Sequence, residues 1–452
     1  MSNLVIENAT ILPMGNNKHI WPDHHLIIRD GVIEHIGEGS PQGERIPPGA
    51  RHINAAGRVV MPGLINTHTH SYQTLLRGVF DNLSLLPWLS KLYRAGAALR
   101  PEDCLVSAQL AALEMIRSGV TAVCDHHFTN QTVDHPAATT EGLLSGGLRV
   151  VMARTIMDGG DLVPAALTET AEQAFRDTDE LMRRFKSVPS DRLRFMTGPN
   201  TPPVTSSPHL CSACREYADH HDIGISSHIA EACGVLDLTR KRYGAGGVVE
   251  LAHRSGLTGD KSVFAHAVHI SPYEIRLLAE TGTSVSHNPV SNMLLGDGVA
   301  PVPAMLEAGV TVGLGTDGAA SNHTLHMFQA MKFASLLQRV HHLDPQIIEP
   351  YQVVNMATCG SARTLGLDQM CGTLEPGKKG DIIIIDLNEH PRNVGVHHIV
   401  NHLVHVVQSA DVTHTIVNGE VIMDERRITS LDEQAVMARA RLAAFELIQR
   451  IS

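Results

Sequence analysis

Residues 59–70 read VVMPGLINTHTH, an apolar run that ends in two histidines separated by a single residue. Side chains alternate between the two faces of a β-strand, so His68 and His70 point the same way if this run is a strand. Two imidazoles on one face at the end of a strand make half of a site for a divalent metal ion. The alternative is a strand end with two solvated histidines, and the segments downstream favour the metal site.

Three later apolar runs also end in side chains that can bind a metal or carry a proton. They end in His228, with Glu231 three residues on, in His266 and in Asp317. Side chains gathered at the C-terminal ends of successive parallel strands are typical of a (β/α)8 barrel. Imidazole nitrogens and carboxylate oxygens suit zinc, iron or a similar divalent ion.

Eight short apolar segments alternate with helical segments across the middle of the chain. The eight candidate strands are residues 59–67, 120–126, 148–156, 192–198, 223–229, 262–268, 283–287 and 311–316. Eight is the strand number of a TIM-type barrel. We therefore predict an α/β fold with a metal-dependent (β/α)8 barrel over residues 59–366.

Both ends of the chain contain β-like segments with hairpin turns, Asp30-Gly31 near the start and Asn418-Gly419 near the end. Neither terminal segment is long enough to bury a core alone. We predict that residues 1–58 and 367–425 combine into one small β-sandwich beside the barrel. A C-terminal helix within residues 426–452 is predicted to end the fold.

The composition indicates a compact globular enzyme, because 43% of the 452 residues are hydrophobic and 18% are charged. A net charge of −11 argues against nucleic acid or an anionic membrane as a partner. No apolar stretch approaches ~18 residues, and no basic region precedes an apolar one at the start, so neither a membrane span nor a secretory signal is expected. Seven cysteines, with one isolated CxxC at Cys211 and Cys214, suggest reduced thiols in the cytoplasm.

Five motifs resemble those of a known family. In chain order they are PGLINTHTH at 62–70, His228 with Glu231, Ala265-His266, SHNPVSN at 286–292 and GTDG at 315–318. With these motifs the chain resembles the amidohydrolase superfamily over nearly its whole length. Within the superfamily it is similar to the branch that contains S-adenosylhomocysteine/methylthioadenosine deaminases, melamine deaminase and atrazine chlorohydrolase.

The resemblance implies a mononuclear metal site. The implied ligands are His68, His70, His228 and Asp317. Binuclear relatives have a bridging lysine at the end of the fourth strand, whereas residues 194–200 here read RFMTGPN. One divalent ion is therefore expected, Zn²⁺ with Fe²⁺ as the alternative.

A divalent ion with an open position lowers the pKa of its bound water to ~7 and so supplies hydroxide at neutral pH. This hydroxide would attack a ring carbon that carries an amino group and so release ammonia. Asp317 would accept the proton of the water and pass it to the leaving ammonia, and His266 would orient the hydroxide. Glu231 would protonate the ring nitrogen beside the attacked carbon.

The sequence departs from the nucleoside deaminases of this branch where they meet the ribose. Asn200 follows Gly198-Pro199 where those enzymes have a histidine, and residues 93–98 lack their glutamate, although Arg154 matches their arginine. A smaller purine, pterin, pyrimidine or s-triazine is therefore expected. The candidate substrate-binding residues are Gln73, Trp88, Arg154, Asn200 and Asn322.

Some of these residues have an alternative interpretation. Trp88 would stack on a ring or fill the core, and Asn322 would contact substrate or cap a loop. Four further histidines near strand ends are left without a role: His126, His127, His269 and His287.

We expect a metal-dependent hydrolytic deaminase of an amino-substituted N-heterocycle of purine, nucleoside, pterin or s-triazine type. The alternatives are displacement of halide or alkylamine from an s-triazine, deamination of S-adenosylhomocysteine or methylthioadenosine, and a non-catalytic scaffold on a decayed barrel. The expected partner is a small heterocyclic molecule, with no nucleic acid and no membrane. A homo-oligomer, dimer or tetramer, in the cytoplasm is expected.

Overall fold

The computed structural model describes residues 3–15, 18–41 and 46–451. Predicted segments that reach residues 1, 2, 16, 17, 42–45 or 452 extend there beyond the described residues. The described strands form a nine-stranded mixed sheet and an eight-stranded parallel sheet.

The N-terminal segment supplies five strands of the mixed sheet. They are β1 (Leu4–Ile11), β2 (Trp21–Arg29), β3 (Val32–Glu38), β4 (Arg51–Asn54) and β5 (Arg58–Pro62). The predicted turn at Asp30-Gly31 joins β2 to β3, which pair antiparallel. β1 lies next to β5 and runs parallel to it.

The parallel sheet follows as the predicted barrel, with its strands in chain order. They are β6 (Leu64–Thr69), β7 (Val120–His127), β8 (Arg149–Ile156), β9 (Leu193–Pro199), β10 (Gly224–Ile229), β11 (Ser262–His266), β12 (Ser284–His287) and β13 (Val312–Leu314). The barrel closes between the first and last strands. There the backbone amide of Asp317 donates to the carbonyl of His68 at 2.9 Å, and the Asn66 side chain bonds Thr316.

Helices connect the strands and flank the barrel. Up to the end of the barrel they are α1 (Leu85–Gly96), α2 (Pro101–Arg117), α3 (Asp134–Ser145), α4 (Ala171–Arg184), α5 (Pro208–His221), α6 (Cys233–Tyr243), α7 (Val248–Arg254), α8 (Pro272–Thr281), α9 (Pro289–Leu294), α10 (Val302–Glu307), α11 (Met327–His342), α12 (Pro350–Ala357) and α13 (Cys359–Thr364). Cys211 and Cys214 are buried, unpaired thiols of α5.

The C-terminal segment completes the mixed sheet. It contains β14 (Ile382–Asp386), α14 (Ile399–His405), β15 (Val412–Val417), β16 (Glu420–Asp424), β17 (Arg427–Ile428) and α15 (Glu433–Ile451). β14 pairs with β5, so the two ends of the chain share one sheet, as predicted for the composite β-domain. Ile382 and Ile384 join the core of that sheet, while Ile383 and Ile385 pack into the larger core shared with the barrel.

The run at residues 59–67, predicted to be one barrel strand, is two strands that belong to different sheets. Gly63 separates them, with its amide bonded to Asp381 while Leu64 bonds Gly119 at the edge of the barrel. A Cβ atom at Gly63 would lie 2.1 Å from the Thr121 side chain, so only glycine fits this crossing. The chain therefore passes from β5 in the mixed sheet directly into β6, the barrel strand that carries His68, without an intervening loop.

A buried ion pair joins the two sheets. Arg149, at the start of β8, bonds both carboxylate oxygens of Asp381 at 2.8–2.9 Å and also the Asn418 side chain at 2.6 Å. Arg149 and Asp381 are 1% and 2% exposed. Because both charges are out of water, loss of either partner leaves the other uncompensated.

No helix in the described part of the chain has the length and apolar character needed to cross a membrane.

We predict that Arg149→Met lowers the free energy of unfolding by about 3–5 kcal/mol, because it leaves the Asp381 carboxylate buried without its countercharge. The matched control is Arg29→Met, which breaks the exposed pair with Glu34 and should cost less than about 1 kcal/mol. Urea denaturation followed by circular dichroism measures both. Equal midpoints for the two variants would contradict the role of the buried pair.

Candidate active site

The strand-end residues predicted to be functional meet at one end of the barrel. His70 Nε2 lies 3.1 Å from Asp317 Oδ1 and 3.2 Å from His228 Nε2. His68 Nε2 lies 3.7 Å from the same Asp317 oxygen. His266 is beside them, with Nε2 4.0 Å from Asp317 Oδ2. The structure thus brings together residues from β6, β10, β11 and the loop after β13.

The imidazole contacts fit a bound cation. His70 Nδ1 donates to the carbonyl of His126 at 2.6 Å, and His228 Nδ1 donates to the carbonyl of Asn200 at 2.9 Å. In a neutral imidazole the other nitrogen, Nε2, then carries a lone pair. These two lone pairs face each other at 3.2 Å, which is repulsive unless a positive ion binds them.

The remaining donors complete the same arrangement. His68 Nε2 is buried and has no hydrogen-bond partner in the described structure. The potential ligand atoms fall into two overlapping groups, each within 4.8 Å: His68, His70 and His228, and His68, His266 and Asp317. Three neutral nitrogens and a carboxylate oxygen suit a divalent metal ion.

Burial sets the protonation states that a metal site needs. Burial and the neighbouring imidazoles hold the pKa of His68 and His228 well below the usual range, which keeps both rings neutral. Although burial opposes ionisation of Asp317, its contact with His70 and the nearby imidazoles hold the pKa of this carboxyl well below its usual range. The site therefore combines neutral nitrogens with an ionised carboxylate.

The two oxygens of Asp317 have different neighbours. Oδ1 faces His70 and accepts from the Gly318 amide at 2.7 Å. Oδ2 accepts hydrogen bonds from the hydroxyls of Ser291 at 2.6 Å and Ser321 at 3.1 Å. One oxygen is therefore on the metal side, and the other belongs to a hydroxyl network that can orient it for proton transfer.

Glu231 lies in the same cavity but in the opposite protonation state. Burial, reinforced by the charge of Asp317, raises the pKa of the Glu231 carboxyl well above its usual range. Its Oε1 is 3.6 Å from His266 Nε2, whose other nitrogen bonds Asn292 at 2.8 Å. The surroundings of Glu231 thus favour its protonated form, beside an oriented imidazole.

The backbone at two of these residues is in the left-handed region. His266 has a φ of 75° and Asp317 a φ of 61°. Such conformations cost about 1–3 kcal/mol for residues other than glycine and persist where the surroundings enforce them. The fold therefore holds both side chains in positions that a relaxed strand end would not give them.

A small cavity opens onto these groups. One wall is a face of α1, formed by Leu85, Trp88, Leu89 and Leu92, and Phe128 adds a further aromatic surface. The sequence analysis identified only Trp88 among these wall residues. The spacing of residues 85, 88, 89 and 92 on one helical face could have indicated the others.

Three of the five predicted substrate-binding residues line the cavity, and two do not. Gln73, Trp88 and Asn200 line the cavity. Arg154 lies outside the lining, because its guanidinium is buried against Glu169. Asn322 also lies outside the cavity lining. Its Nδ2 donates to the carbonyl of Thr316 at 2.5 Å, so its side chain caps a loop, as in the alternative interpretation of this residue.

The histidines left without a role are all held within the protein. His127 bonds Asn130 at 3.1 Å, and His269 donates to the carbonyl of Asp297 at 2.7 Å. His287 is buried with neither ring nitrogen bonded in the described structure, and burial lowers its pKa to about 3. None of the three lines the cavity.

The fourth, His126, is bonded through its side chain to Asn200, and the backbone carbonyls of these two residues support His70 and His228. The Nε2 of His126 donates to Asn200 Oδ1 at 3.1 Å, and Ser226 donates to its Nδ1 at 2.9 Å. The carbonyls of these same two residues, His126 and Asn200, fix the orientation of His70 and His228. The side-chain bond between them therefore fastens together the two supports of the metal site.

Residues 59–422 match the amidohydrolase family, and the chain belongs to this family. Two similar proteins, each 36% identical, are a 5-methylthioadenosine/S-adenosylhomocysteine deaminase of Syntrophomonas wolfei and a 5'-deoxyadenosine deaminase of Methanosarcina acetivorans. The matches cover 98% of this chain and 99% of the first protein, and 100% and 99% for the second.

Solved structures are also similar to this chain over nearly its whole length. An adenosine deaminase from Xanthomonas campestris with bound zinc superposes with a TM-score of 0.92 at 29% identity, over 99% of both chains. A mutant atrazine chlorohydrolase from Arthrobacter aurescens, complexed with zinc and atraton, gives 0.91 at 25% identity, over 98% of this chain and 100% of the other. The predicted family resemblance and fold class are confirmed.

We predict that Asn200→Ala accelerates metal loss, because it removes the side-chain bond that fastens the supports of His70 and His228. Changes to such supporting contacts typically weaken metal binding about 10–100-fold. The matched control is Tyr93→Phe, which removes only the hydroxyl that contacts the other end of the Asn200 amide. Release of metal to a chromogenic chelator measures both rates, and identical rates for Asn200→Ala and wild type would refute the fastening role.

Proposed function

We propose that the protein is a metal-dependent hydrolytic deaminase of an amino-substituted N-heterocycle, of purine, nucleoside, pterin or s-triazine type. The observation that carries the proposal is a pair of carboxyls that line one cavity and whose surroundings move their pKa values in opposite directions, upward for Glu231 and downward for Asp317. Hydrolysis at an aminated ring carbon needs an acid for the ring nitrogen and a base for the water, which these two groups provide. Relatives named as deaminases over the full length of the chain support the same reaction.

The proposed cofactor is one divalent ion per chain, zinc with iron(II) as the alternative. The proposed ligands are His68, His70, His228 and Asp317, whose contacts are those described above. When bound, the ion would supply an activated water molecule next to the carbon to be attacked. Zinc in the structure of a related adenosine deaminase supports this choice.

The chain's own residues then divide the proton transfers. Asp317, oriented through Oδ2 by Ser291 and Ser321, would take a proton from the water and deliver it to the departing amino group. His266, held by Asn292, would orient the nucleophile. Glu231 would protonate the ring nitrogen, where the negative charge of the adduct collects.

A second candidate reaction uses the same cavity. The structural similarity to an atrazine chlorohydrolase supports displacement of halide or alkylamine from an s-triazine. Ammonia among the products favours deamination, whereas chloride or alkylamine favours the second reaction. The homo-oligomeric state and the cytoplasmic location remain predictions.

We expect the purified protein to contain close to one divalent ion per chain. The two groups of possible ligands among the described residues overlap at His68, and no lysine stands at the end of β9 to bridge a second ion. Elemental analysis of protein prepared without chelators measures the ratio. A reproducible value of two ions per chain would contradict the mononuclear site.

We expect Glu231→Gln to bind substrate and metal but to lose at least ~10²-fold in kcat, the usual effect of removing a positioned general acid. The glutamine is of similar size but has no acidic proton to deliver to the ring nitrogen. Ammonia release and metal content should be measured on the same preparation. A kcat near that of the wild type at full metal content would rule out Glu231 as the acid.

A further inference from the structure

On the basis of the proposed deaminase function, we propose that the substrate is an uncharged aminoheterocycle with an apolar substituent, rather than one bearing a sugar or a charged side chain. The proposal concerns the part of the cavity away from the metal site. It follows from three properties of the cavity lining: an apolar wall, polar groups that are already bonded, and unpartnered donors.

The wall of the cavity that α1 forms is apolar. Leu85, Trp88, Leu89 and Leu92 present one face of α1 to the cavity, and each is at most 6% exposed. A substituent lying against this wall gains roughly fourfold in affinity per buried methylene group. A hydroxylated or charged substituent would instead lose its water there without compensation.

The polar side chains nearby are bonded to one another. Asn200 accepts from His126 at 3.1 Å through Oδ1 and contacts the Tyr93 hydroxyl at 3.2 Å through Nδ2. The hydroxyl of Thr201 contacts His228 Nδ1 at 3.3 Å. A sugar would have to break these contacts to be recognised.

The lining contains no cation. No lysine or arginine is among the cavity residues, and Arg154 is buried against Glu169. The two lining carboxyls, Glu231 and Asp317, are assigned to the reaction itself. A substrate carboxylate would therefore be unpaired, and a vicinal diol would find no free carboxylate to accept its protons.

Apart from the groups assigned to the reaction, the buried unpartnered polar atoms of the described lining are donors. Gln73 Oε1 accepts from the Ala320 amide at 3.2 Å, which leaves its Nε2 as a buried donor without a partner. Trp88 Nε1 is also buried without an acceptor. Ring nitrogens or a ring carbonyl of a heterocycle are the matching acceptors.

Matched substrates separate this inference from the deaminase proposal. Ammonia release by metal-loaded protein is measured on 9-ethyladenine and 9-butyladenine against methylthioadenosine and S-adenosylhomocysteine. A second pair is an amino-s-triazine with an ethyl substituent and its carboxyethyl analogue. We expect kcat/KM to be at least ~10²-fold higher for the better alkyl compound than for its polar counterpart, because unpaired buried polar groups are rejected strongly.

The possible results distinguish a failure of the inference about the substrate from a failure of the proposed deaminase function. If methylthioadenosine or S-adenosylhomocysteine is the best substrate, the inference is overturned while the deaminase function stands. If no compound releases ammonia at full metal content, the proposed function itself fails. A preference for the alkyl compounds supports both.

A pair of variants in α1 tests the wall directly. Leu89→Ala should raise KM for the best alkyl substrate about tenfold, because it removes apolar surface from the lining. Leu86→Ala, on the same helix but outside the lining, should leave KM within about twofold. Equal KM values for the two variants would overturn the apolar wall as the determinant of specificity.

Discussion

Two hydrogen bonds from imidazole to backbone determine what this site can be. The carbonyls of His126 and Asn200 each take the Nδ1 proton of a neighbouring histidine, which leaves the Nε2 lone pairs of His70 and His228 facing each other at 3.2 Å. A cation bound by both nitrogens would relieve the repulsion between these lone pairs. Because the carbonyls belong to β7 and to the residue after β9, the barrel itself sets the geometry of the metal site.

The same cavity keeps two carboxyl groups in opposite states. Asp317 has hydrogen-bond donors on both oxygens and a lowered pKa, whereas burial and the charge of Asp317 raise the pKa of Glu231. Environment, rather than residue type, separates the two pKa values, which suits the proposed roles of Asp317 as base and Glu231 as acid. Each depends on the other, because the charge on Asp317 contributes to the raised pKa of Glu231.

The sequence was most informative where function coincides with strand ends. Alternation along a strand and the barrel rule placed His68, His70, His228, His266 and Asp317 together, because those patterns are local and repeated. Arg154 shows the limit: its position on β8 was predictable, but the burial of its side chain against Glu169 depends on packing. The boundary at Gly63 was missed because an apolar run does not show which sheet it enters.

The direct passage from β5 into β6, the strand that carries His68, also has a consequence during synthesis on the ribosome. β5 pairs with β14, and Pro62 faces Ile382, 320 residues further along the chain. At the usual pace of about 5–20 residues per second, a ribosome needs roughly 15–60 s to supply that partner. A chain terminated between Asp317 and Ile382 would contain every proposed metal ligand, yet it would expose an apolar strand edge that invites aggregation.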